Sequence, residues 1–404
     1  MMRKLILSVL LITLLLPGGC WDMREINEIG LVMAVGIDKS SRDPNLFWVT
    51  VQVANPQGSG SSGGGDKEKN ESQVWIASAE GRTIFDAIRE IARFSSQRIM
   101  WAHNNIIVVG ESLAREDITP VIDFFTHNYE LRMKTWVAIT PLQASDIIKS
   151  NAGMGNIPGR AITEVFRFQK LTGLGLPSDL LNVFHDFSDE NNHILISRLT
   201  LNQALTEAGL ANVSENIVEQ IEISGMAVFH NTRMLGYLSA DEARGLSWFL
   251  GEEPNSVISL PHPENSIKAV AVEMRSVHAK IESRLNQDMP EFTIEISGTG
   301  HITEEDISSS LTMDEFKSAL EGLAEQQIAT EVRSSVSKVQ KEFRSDVLKF
   351  GSTVHVQHKK EWNQDLKYRW AEIFPEVEVE VVVNVSIDSS TLNQIPQRNY
   401  KERS

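Results

Sequence analysis

Hydrophobic residues recur along the chain in two rhythms, one typical of β-strands and the other of α-helices. Residues 47–53 are rich in β-branched and aromatic side chains and partly alternate with polar ones, so they predict a strand. The apolar segment 29–37 precedes it, and we expect the two to pair. After Thr83, by contrast, apolar residues fall at helical spacing through residue 91, and threonine is a favoured N-cap residue.

The longest helical pattern lies near residues 313–350. Thr312 and Glu315 form the capping-box pattern that opens a helix, and Gly351 is the residue predicted to end it. The stripe predicted to be buried comprises Phe316, Leu320, Leu323, Ile328, Val332, Val336, Val339, Phe343 and Val347. Residues 376–387 alternate valine with glutamate or other residues, which predicts a half-buried strand as the partner of this amphipathic helix.

A similar mixture of elements occupies the middle of the chain. Residues 223–229 and 234–238 flank four polar or charged residues and predict a β-hairpin, and Ser239 with Glu242 predicts a capped helix after it. Strict strand-helix-strand repeats are few. The sequence therefore predicts an α+β, or mixed α/β, fold with several domains, in which mixed or antiparallel sheets are flanked by helices.

The first nineteen residues have the parts of a secretory signal. Arg3 and Lys4 give a positive start, an apolar run covers residues 5–16, and two glycines precede Cys20. The run is shorter than the roughly 20 apolar residues that a membrane span requires. We therefore predict that residues 1–19 are a signal peptide and that the protein is exported.

Cys20 is the only cysteine of the chain, so it has no partner for an intramolecular disulfide. A thiol at the cleavage point can carry a thioether-linked diacylglycerol, which predicts a lipoprotein. Each buried methylene contributes about 0.8 kcal/mol, and two acyl chains give stable anchoring where one does not. The alternative is an ordinary signal peptide followed by a buried, unmodified cysteine.

Composition indicates a folded protein and weakens two kinds of interaction. The chain has 404 residues, of which 41% are hydrophobic and 23% charged, and 385 would remain after cleavage, more than one domain usually holds. Loss of Arg3 and Lys4 would move the formal charge from −16 to −18. So acidic a chain is not expected to bind nucleic acid. It also disfavours broad adhesion to anionic lipid, which leaves the acyl anchor as the main membrane attachment.

Changes in composition divide the mature chain into two expected domains. Residues 20–200 form an N-terminal α/β domain that contains a flexible glycine- and serine-rich loop at 56–72. Residues 222–392 form a C-terminal domain, for which a further division near residue 300 stays open, and residues 393–404 form a tail.

Two catalytic sequence patterns match, and both fall in the glycine-rich loop. Residues 58–63 satisfy the dinucleotide-binding pattern and residues 60–64 the nucleophile-elbow pattern, but neither has the required strand before it and helix after it. His355 and His358 have the spacing of metal ligands without a visible third ligand. The sequence therefore does not support an enzyme, and we expect no metal or cofactor beyond the lipid on Cys20.

The polar segment that contains Glu130 and Arg132 is a candidate of another kind, because it lies between a predicted helix and a predicted strand at 135–140. The two side chains could form an ion pair that holds the turn, or they could mark a surface for a partner.

Core packing is the expected role of three aromatic residues near the end of the chain, Trp362, Trp370 and Phe374.

Several short motifs are spread in order over nearly the whole mature chain. They comprise Cys20-Trp21-Asp22 with Arg24-Glu25-Ile26, Val35-Gly36-Ile37-Asp38, Gly110-Glu111-Ser112-Leu113-Ala114, Glu130-Leu131-Arg132, Gly225-Met226-Ala227-Val228-Phe229, Leu235-Gly236-Tyr237-Leu238, Phe350-Gly351, Trp362, Trp370 and Phe374-Pro375. In this combination the chain resembles the Ger(x)C family, the lipoprotein C subunits of nutrient germinant receptors in endospore-forming bacteria.

The resemblance implies a non-enzymatic subunit of a membrane complex that triggers spore germination. Its partners would be A-type and B-type integral membrane subunits, and the lipid on Cys20 would hold it at the outer face of the spore inner membrane. Trp21 and Asp22, beside the lipidated residue, are candidates for partner or structural contacts. Assembly and coupling are the implied roles, and direct contact with the nutrient stays open.

Two other classes of protein remain for comparison. A lipid-anchored solute-binding protein of a transporter would have two similar lobes around a cleft, and the sequence contains no pair of matching halves. An anchored hydrolase would need a nucleophile constellation outside the glycine-rich loop. The solute-binding protein is the stronger of these alternatives.

Overall fold

The computed structural model describes residues 29–54, 74–150, 158–188, 194–205, 217–251, 256–287, 289–304 and 310–388. The predicted signal peptide, the loop at 56–72 and the tail at 393–404 lie outside these ranges, as do Cys20, Trp21 and Asp22. Within these ranges, no helix combines the length and apolar character that a membrane crossing requires.

A mixed sheet of nine strands organises the first part of the protein. Its strands are β1 (Ile29–Lys39), β2 (Phe47–Ala54), β3 (Val74–Gly81), β4 (Arg98–Met100), β5 (Ile106–Gly110), β6 (Trp136–Thr140), β7 (Leu195–Leu205), β8 (Ile217–His230) and β9 (Arg233–Leu238). Their order is β3-β2-β1-β5-β6-β7-β8-β9, with the short β4 also paired to β1. The strands from β1 through β5 and β6 to β7 run parallel, and the outer pairs are antiparallel, so the predicted mixed sheet is confirmed.

Helices cover both faces of this sheet. They are α1 (Ile84–Ala92), α2 (Glu111–Glu116), α3 (Thr119–Thr126), α4 (Ala144–Lys149), α5 (Pro158–Thr172) and α6 (Leu180–Ser188). Successive residues of β5 enter different cores, with Ile107 and Val109 beside α1, α2, α3 and α6, and Ile106 and Val108 beside α4 and α5. A strand buried on both faces needs apolar residues at every position, which explains its unbroken apolar run.

A four-stranded sheet organises the second part. Its strands are β10 (Ser256–His262), β11 (Asn265–Asn286), β12 (Met289–Glu304) and β13 (Glu378–Asp388), in that order, and only the β12–β13 pair among them is parallel. Its helices are α7 (Ala240–Leu250), α8 (Met313–Ser337), α9 (Phe350–Gln357), α10 (Lys359–Glu361) and α11 (Lys367–Ile373). The strand β12 runs through residue 300, near which a domain division had stayed open.

The predicted helix 313–350 ends earlier than expected. The α-helix stops at Ser337, a π-helical turn covers Lys338–Phe343, and Arg344 takes a left-handed conformation with φ 52°. Gly351 does not end this helix, because it lies in the first turn of α9 instead. A side chain at this position would collide with the neighbouring residues described below, so close packing rather than helix termination explains this glycine.

The predicted partner strand of α8 is confirmed, and the helix also covers that strand's free edge. Val381, Val385 and Ile387 of β13 lie in one core with the buried stripe of α8. Glu325 accepts a hydrogen bond from the backbone N–H of Val385 at 3.0 Å, and Glu321 accepts one from that of Ile387 at 2.8 Å. Because these donors would otherwise be unpaired, the two glutamates block an edge on which another strand could add.

The hairpin β8–β9 joins the two cores. Ala227 and Phe229 face the core of the nine-stranded sheet, whereas Val228 belongs to the core of the second part. The sequence placed this hairpin at the opening of the domain expected at 222–392, and the structure pairs it into the first sheet. Successive side chains along β8 therefore pack into two different cores, one in each part of the protein.

Candidate functional site: an aromatic groove beside the first strand

Glu130 is the site candidate that the structure describes most fully. It follows α3 in a turn, where its backbone N–H donates to the side chain of Asn128 at 3.1 Å. Its carboxylate accepts a hydrogen bond from the backbone N–H of Trp101 at 3.3 Å and lies 3.8 Å from the guanidinium of Arg98. Glu130 therefore ties the turn to β4.

The ion pair predicted between Glu130 and Arg132 is not formed. Glu130 pairs with Arg98 instead. Arg132 is exposed, and its backbone carbonyl accepts a hydrogen bond from the N–H of Thr135. The pairing of β4 with β1 brings Arg98 to Glu130, and a contact made by strand pairing has no signal in local sequence spacing. Arg132 is consequently left on the surface.

Glu130 lies at the side of an open groove between α1 and the turn after α3. The groove has a volume of about 760 Å³ and is lined by Phe85, Arg89, Arg98, Trp101 and Tyr129 among others. Aromatic and apolar side chains supply much of the wall, with a few charged groups between them. That composition is typical of a surface that binds another apolar group.

Two aromatic side chains that line the groove extend into solvent, and a third exposed ring, that of Phe94, follows the end of α1. Phe85 is 53% exposed, Phe94 is 58% exposed and Tyr129 is 91% exposed. The Phe94 ring rests edge-on against Trp75 at 6.2 Å, and the Arg89 guanidinium lies 5.0 Å from the Phe85 ring centre. Clustered exposed aromatics commonly mark a surface that contacts a protein or a membrane.

The groove lies beside the point where the described chain begins. Ile29, the first residue of β1, is paired in register with Arg98 of β4, and Gly30 is paired with Ile99. Both β4 residues line the groove. In the sequence, Cys20 is nine residues before Ile29.

The motif Val35-Gly36-Ile37-Asp38 has a structural explanation. Asp38 is 1% exposed, and its carboxylate accepts the backbone N–H groups of Ala144 at 2.7 Å and Ser145 at 2.9 Å, which caps α4 from a distant strand. Burial raises the pKa of Asp38 to about 6, against the two hydrogen bonds that lower it. A Cβ on Gly110 would collide with this carboxylate, which explains a glycine there.

A second buried aspartate organises the aromatic residues near the chain end. Asp346 accepts the backbone N–H of Phe350 at 3.0 Å, that of Gly351 at 2.7 Å and the indole N–H of Trp370 at 2.9 Å. Burial raises its pKa to about 7. The rings of Trp362 and Trp370 meet edge-on at 5.3 Å, so the expected core role of these tryptophans is confirmed.

A separate cleft lies between the two parts of the protein. It has a volume of about 650 Å³ and is lined from the first part by Trp136, Phe166 and Asp186, and from the second by Val347 and Lys349. The ammonium of Lys349 lies 3.6 Å from the carboxylate of Asp186. This ion pair bridges the two walls.

The two histidines with metal-ligand spacing, His355 and His358, contact other groups in the fold. The ring of His355 stacks on Trp362 at 6.0 Å, and the Nε2 atom of His358 lies 3.0 Å from the carbonyl oxygen of Ser283. Among the described residues, no three His, Cys, Asp or Glu side chains are grouped so that they could hold a metal ion.

Comparisons with known proteins identify the class to which this fold and its motifs belong. Residues 22–201 match the family model of the spore germination protein N-terminal domain, and residues 224–391 match that of the spore germination B3/GerAC-like C-terminal domain. The class is that of spore germination proteins.

Relatives align along nearly their full length. The chain is 25% identical to spore germination protein KC of Bacillus subtilis (strain 168) over 98% of each chain. It is 23% identical to spore germination protein B3 of the same organism, covering 94% of this chain and 96% of that one. The fold resembles the crystal structure of the GerBC protein with a TM-score of 0.51 and 20% identity, covering 87% of this chain and 96% of that chain. The chain belongs to the Ger(x)C family of spore germination proteins.

Proposed function

We propose that this protein is the lipid-anchored, non-catalytic C subunit of a nutrient germinant receptor. In this role it assembles with A-type and B-type integral membrane subunits at the outer face of the spore inner membrane and couples nutrient sensing to germination. The match of two family models across most of the chain carries this proposal. The lone Cys20 after an apolar leader supports the anchor.

The described fold favours a scaffold over a carrier of solutes. A solute-binding protein with two similar lobes would show two related sheets, whereas here a nine-stranded mixed sheet adjoins a four-stranded sheet of different order. The buried aspartates are occupied with helix caps, since Asp38 binds the start of α4 and Asp346 that of α9. Their use in packing supports a structural subunit.

The anchor is tested by replacing Cys20 with alanine in the organism that makes the protein. The expected wild-type protein carries diacylglycerol by intact mass and sediments with spore membranes, whereas the Cys20→Ala protein does neither. Nutrient germination should fall in the variant, while germination by added dipicolinate should not. A variant that is unlipidated, soluble and fully active in nutrient germination would overturn the proposal.

The assembly role needs a separate readout. Immunoblots of spore membranes should show that A-type and B-type subunits decline when the gene is deleted, and that the wild-type gene restores them. A matched control is Gly322→Ala, which changes an exposed helix position with nothing within 4 Å of the added methyl group. Unchanged partner levels and normal nutrient germination in the deletion strain would contradict assembly and coupling.

A further inference from the structure

The face around the groove combines protruding aromatic rings with positive charge. Phe85 and Tyr129 line the groove, and both are more than half exposed. Phenylalanine at this exposure loses hydration on entering an apolar phase, and tyrosine suits the boundary between headgroups and acyl chains. The rings extend outward, so a broad soft surface fits them better than a narrow ligand.

The charge of the groove differs from that of the chain as a whole. The protein has a formal charge of −16, but the charged residues that line the groove include Arg89 and Arg98 and only one carboxylate, that of Glu130. Glu130 already lies beside Arg98. Among the described residues, Arg89 contacts the Phe85 ring and forms no ion pair with a carboxylate. The groove is therefore a local site for anionic groups on an acidic protein.

Chain length places this face near the expected anchor. Paired strands lie about 4.8 Å apart, so Ile29 enters the fold directly beside Arg98. Eight residues separate Ile29 from Cys20, and the nine Cα–Cα steps between the two span at most about 30 Å when extended. A lipid on Cys20 would hold the groove closer to the bilayer than surfaces farther from this point.

We propose that the groove face rests on the lipid bilayer, with Phe85 and Tyr129 in the headgroup region and Arg89 beside lipid phosphates. The proposal rests on the proposed anchor at Cys20 and adds an orientation to it. Two attachments, the acyl chains and this face, would fix which side of the subunit meets the membrane. A single flexible tether would leave that orientation free.

The test uses fluorescent labels at single cysteines on tethered protein. Residues 21–404 carry an N-terminal hexahistidine tag in place of Cys20 and bind vesicles that contain anionic phosphatidylglycerol and nickel-chelating lipid. A polarity-sensitive label is placed by Tyr129→Cys or Phe85→Cys. The matched control is Tyr368→Cys, an 80% exposed tyrosine in α11. Lipids with a quencher in the acyl chain report contact with the bilayer.

We expect quenching at positions 129 and 85 to be severalfold greater than at position 368, with blue-shifted emission only after vesicles are added. Arg89→Glu should reduce the quenching at position 129, whereas Arg369→Glu in α11 should not. Equal quenching at positions 129 and 368 would overturn the proposal. So would a blue shift at position 129 without vesicles, because residues of the chain itself would then cover the groove.

Two further outcomes separate this proposal from the anchor itself. The tag replaces lipid, so the labels report orientation even if the mass measurement shows Cys20 unmodified. In that case the anchor fails and the quenching pattern still decides the orientation. If Cys20 is lipidated and the labels show no bilayer contact, the groove proposal fails alone.

Discussion

Replacing Gly351 with alanine tests whether the aromatic cluster around Asp346 is as tightly closed as its contacts indicate. An added methyl group would lie 2.9 Å from Trp362 and 2.9 Å from the indole nitrogen of Trp370, both part of a buried cluster. It would also lie 3.1 Å from the Asp346 carboxylate, which binds the Gly351 N–H. None of these neighbours is the free end of a flexible side chain.

The magnitude follows from opposing effects. Alanine favours a helix by up to about 1 kcal/mol over glycine, whereas overpacking a core costs about 1–3 kcal/mol. Disturbing a hydrogen bond to a buried carboxylate adds about 1–3 kcal/mol. We expect a net loss of about 1–5 kcal/mol in the unfolding free energy of the second part of the protein.

Gly322 provides the matched control for Gly351. It is an exposed glycine within α8, and nothing lies within 4 Å of an added methyl group, so Gly322→Ala should stabilise the protein by about 1 kcal/mol. Thermal unfolding by near-ultraviolet circular dichroism, on protein without the leader and Cys20, should shift by about 2–4 °C per kcal/mol. The two variants should therefore move in opposite directions. If Gly351→Ala unfolds at or above the wild-type temperature while Gly322→Ala behaves as expected, the inferred clash is wrong.

Three further variants test other contacts of the fold. Burial raises the pKa of Asp346 from 3.8 to about 7 in the fold. Its contribution to the unfolding free energy is therefore complete below pH 3.8 and is lost as pH rises through 7. Urea unfolding should show that Asp346→Asn flattens this dependence of stability on pH. Gly225→Ala should destabilise the protein by about 2 kcal/mol in the same assay, because Gly225 has φ 128° and an added methyl group would collide with the carbonyl of Leu238. Replacing both Glu321 and Glu325 with alanine should lower stability by about 1–2 kcal/mol and increase light scattering, since the edge of β13 loses its acceptors. A double variant that neither loses stability nor scatters more light would show that these glutamates do not protect the edge.

Local chemistry explains which elements the sequence could predict. The Thr83 side chain accepts the N–H of Asp86, and Ser239 and Thr312 each open a helix in a capping box. These signals act over three residues, so a single segment contains them completely. The valine strand near the chain end was predictable for a similar reason, because alternation is visible within the strand itself.

Contacts between distant segments explain what the sequence could not show. The helix predicted to reach residue 350 breaks at Arg344. This residue has a left-handed conformation, which cannot be predicted from its being an arginine. The groove depends on the three-residue strand β4 pairing with β1, so Phe85, Arg98 and Tyr129 meet only in the folded chain. Glu130 was found by its motif, and its partner was not.

Two buried aspartates stabilise the fold, whereas Phe85 and Tyr129 of the groove face are exposed. Asp38 and Asp346 are 1% and 5% exposed, and each caps a helix that another segment supplies. Replacing either one is expected to lower the stability of the fold, even if neither residue touches a partner. Tyr129, at 91% exposed, lies outside the core and can be changed with little effect on packing. A loss of germination would therefore identify a contact surface only when the variant accumulates to normal levels, so the proposed membrane contact is tested at the groove face rather than at the buried aspartates.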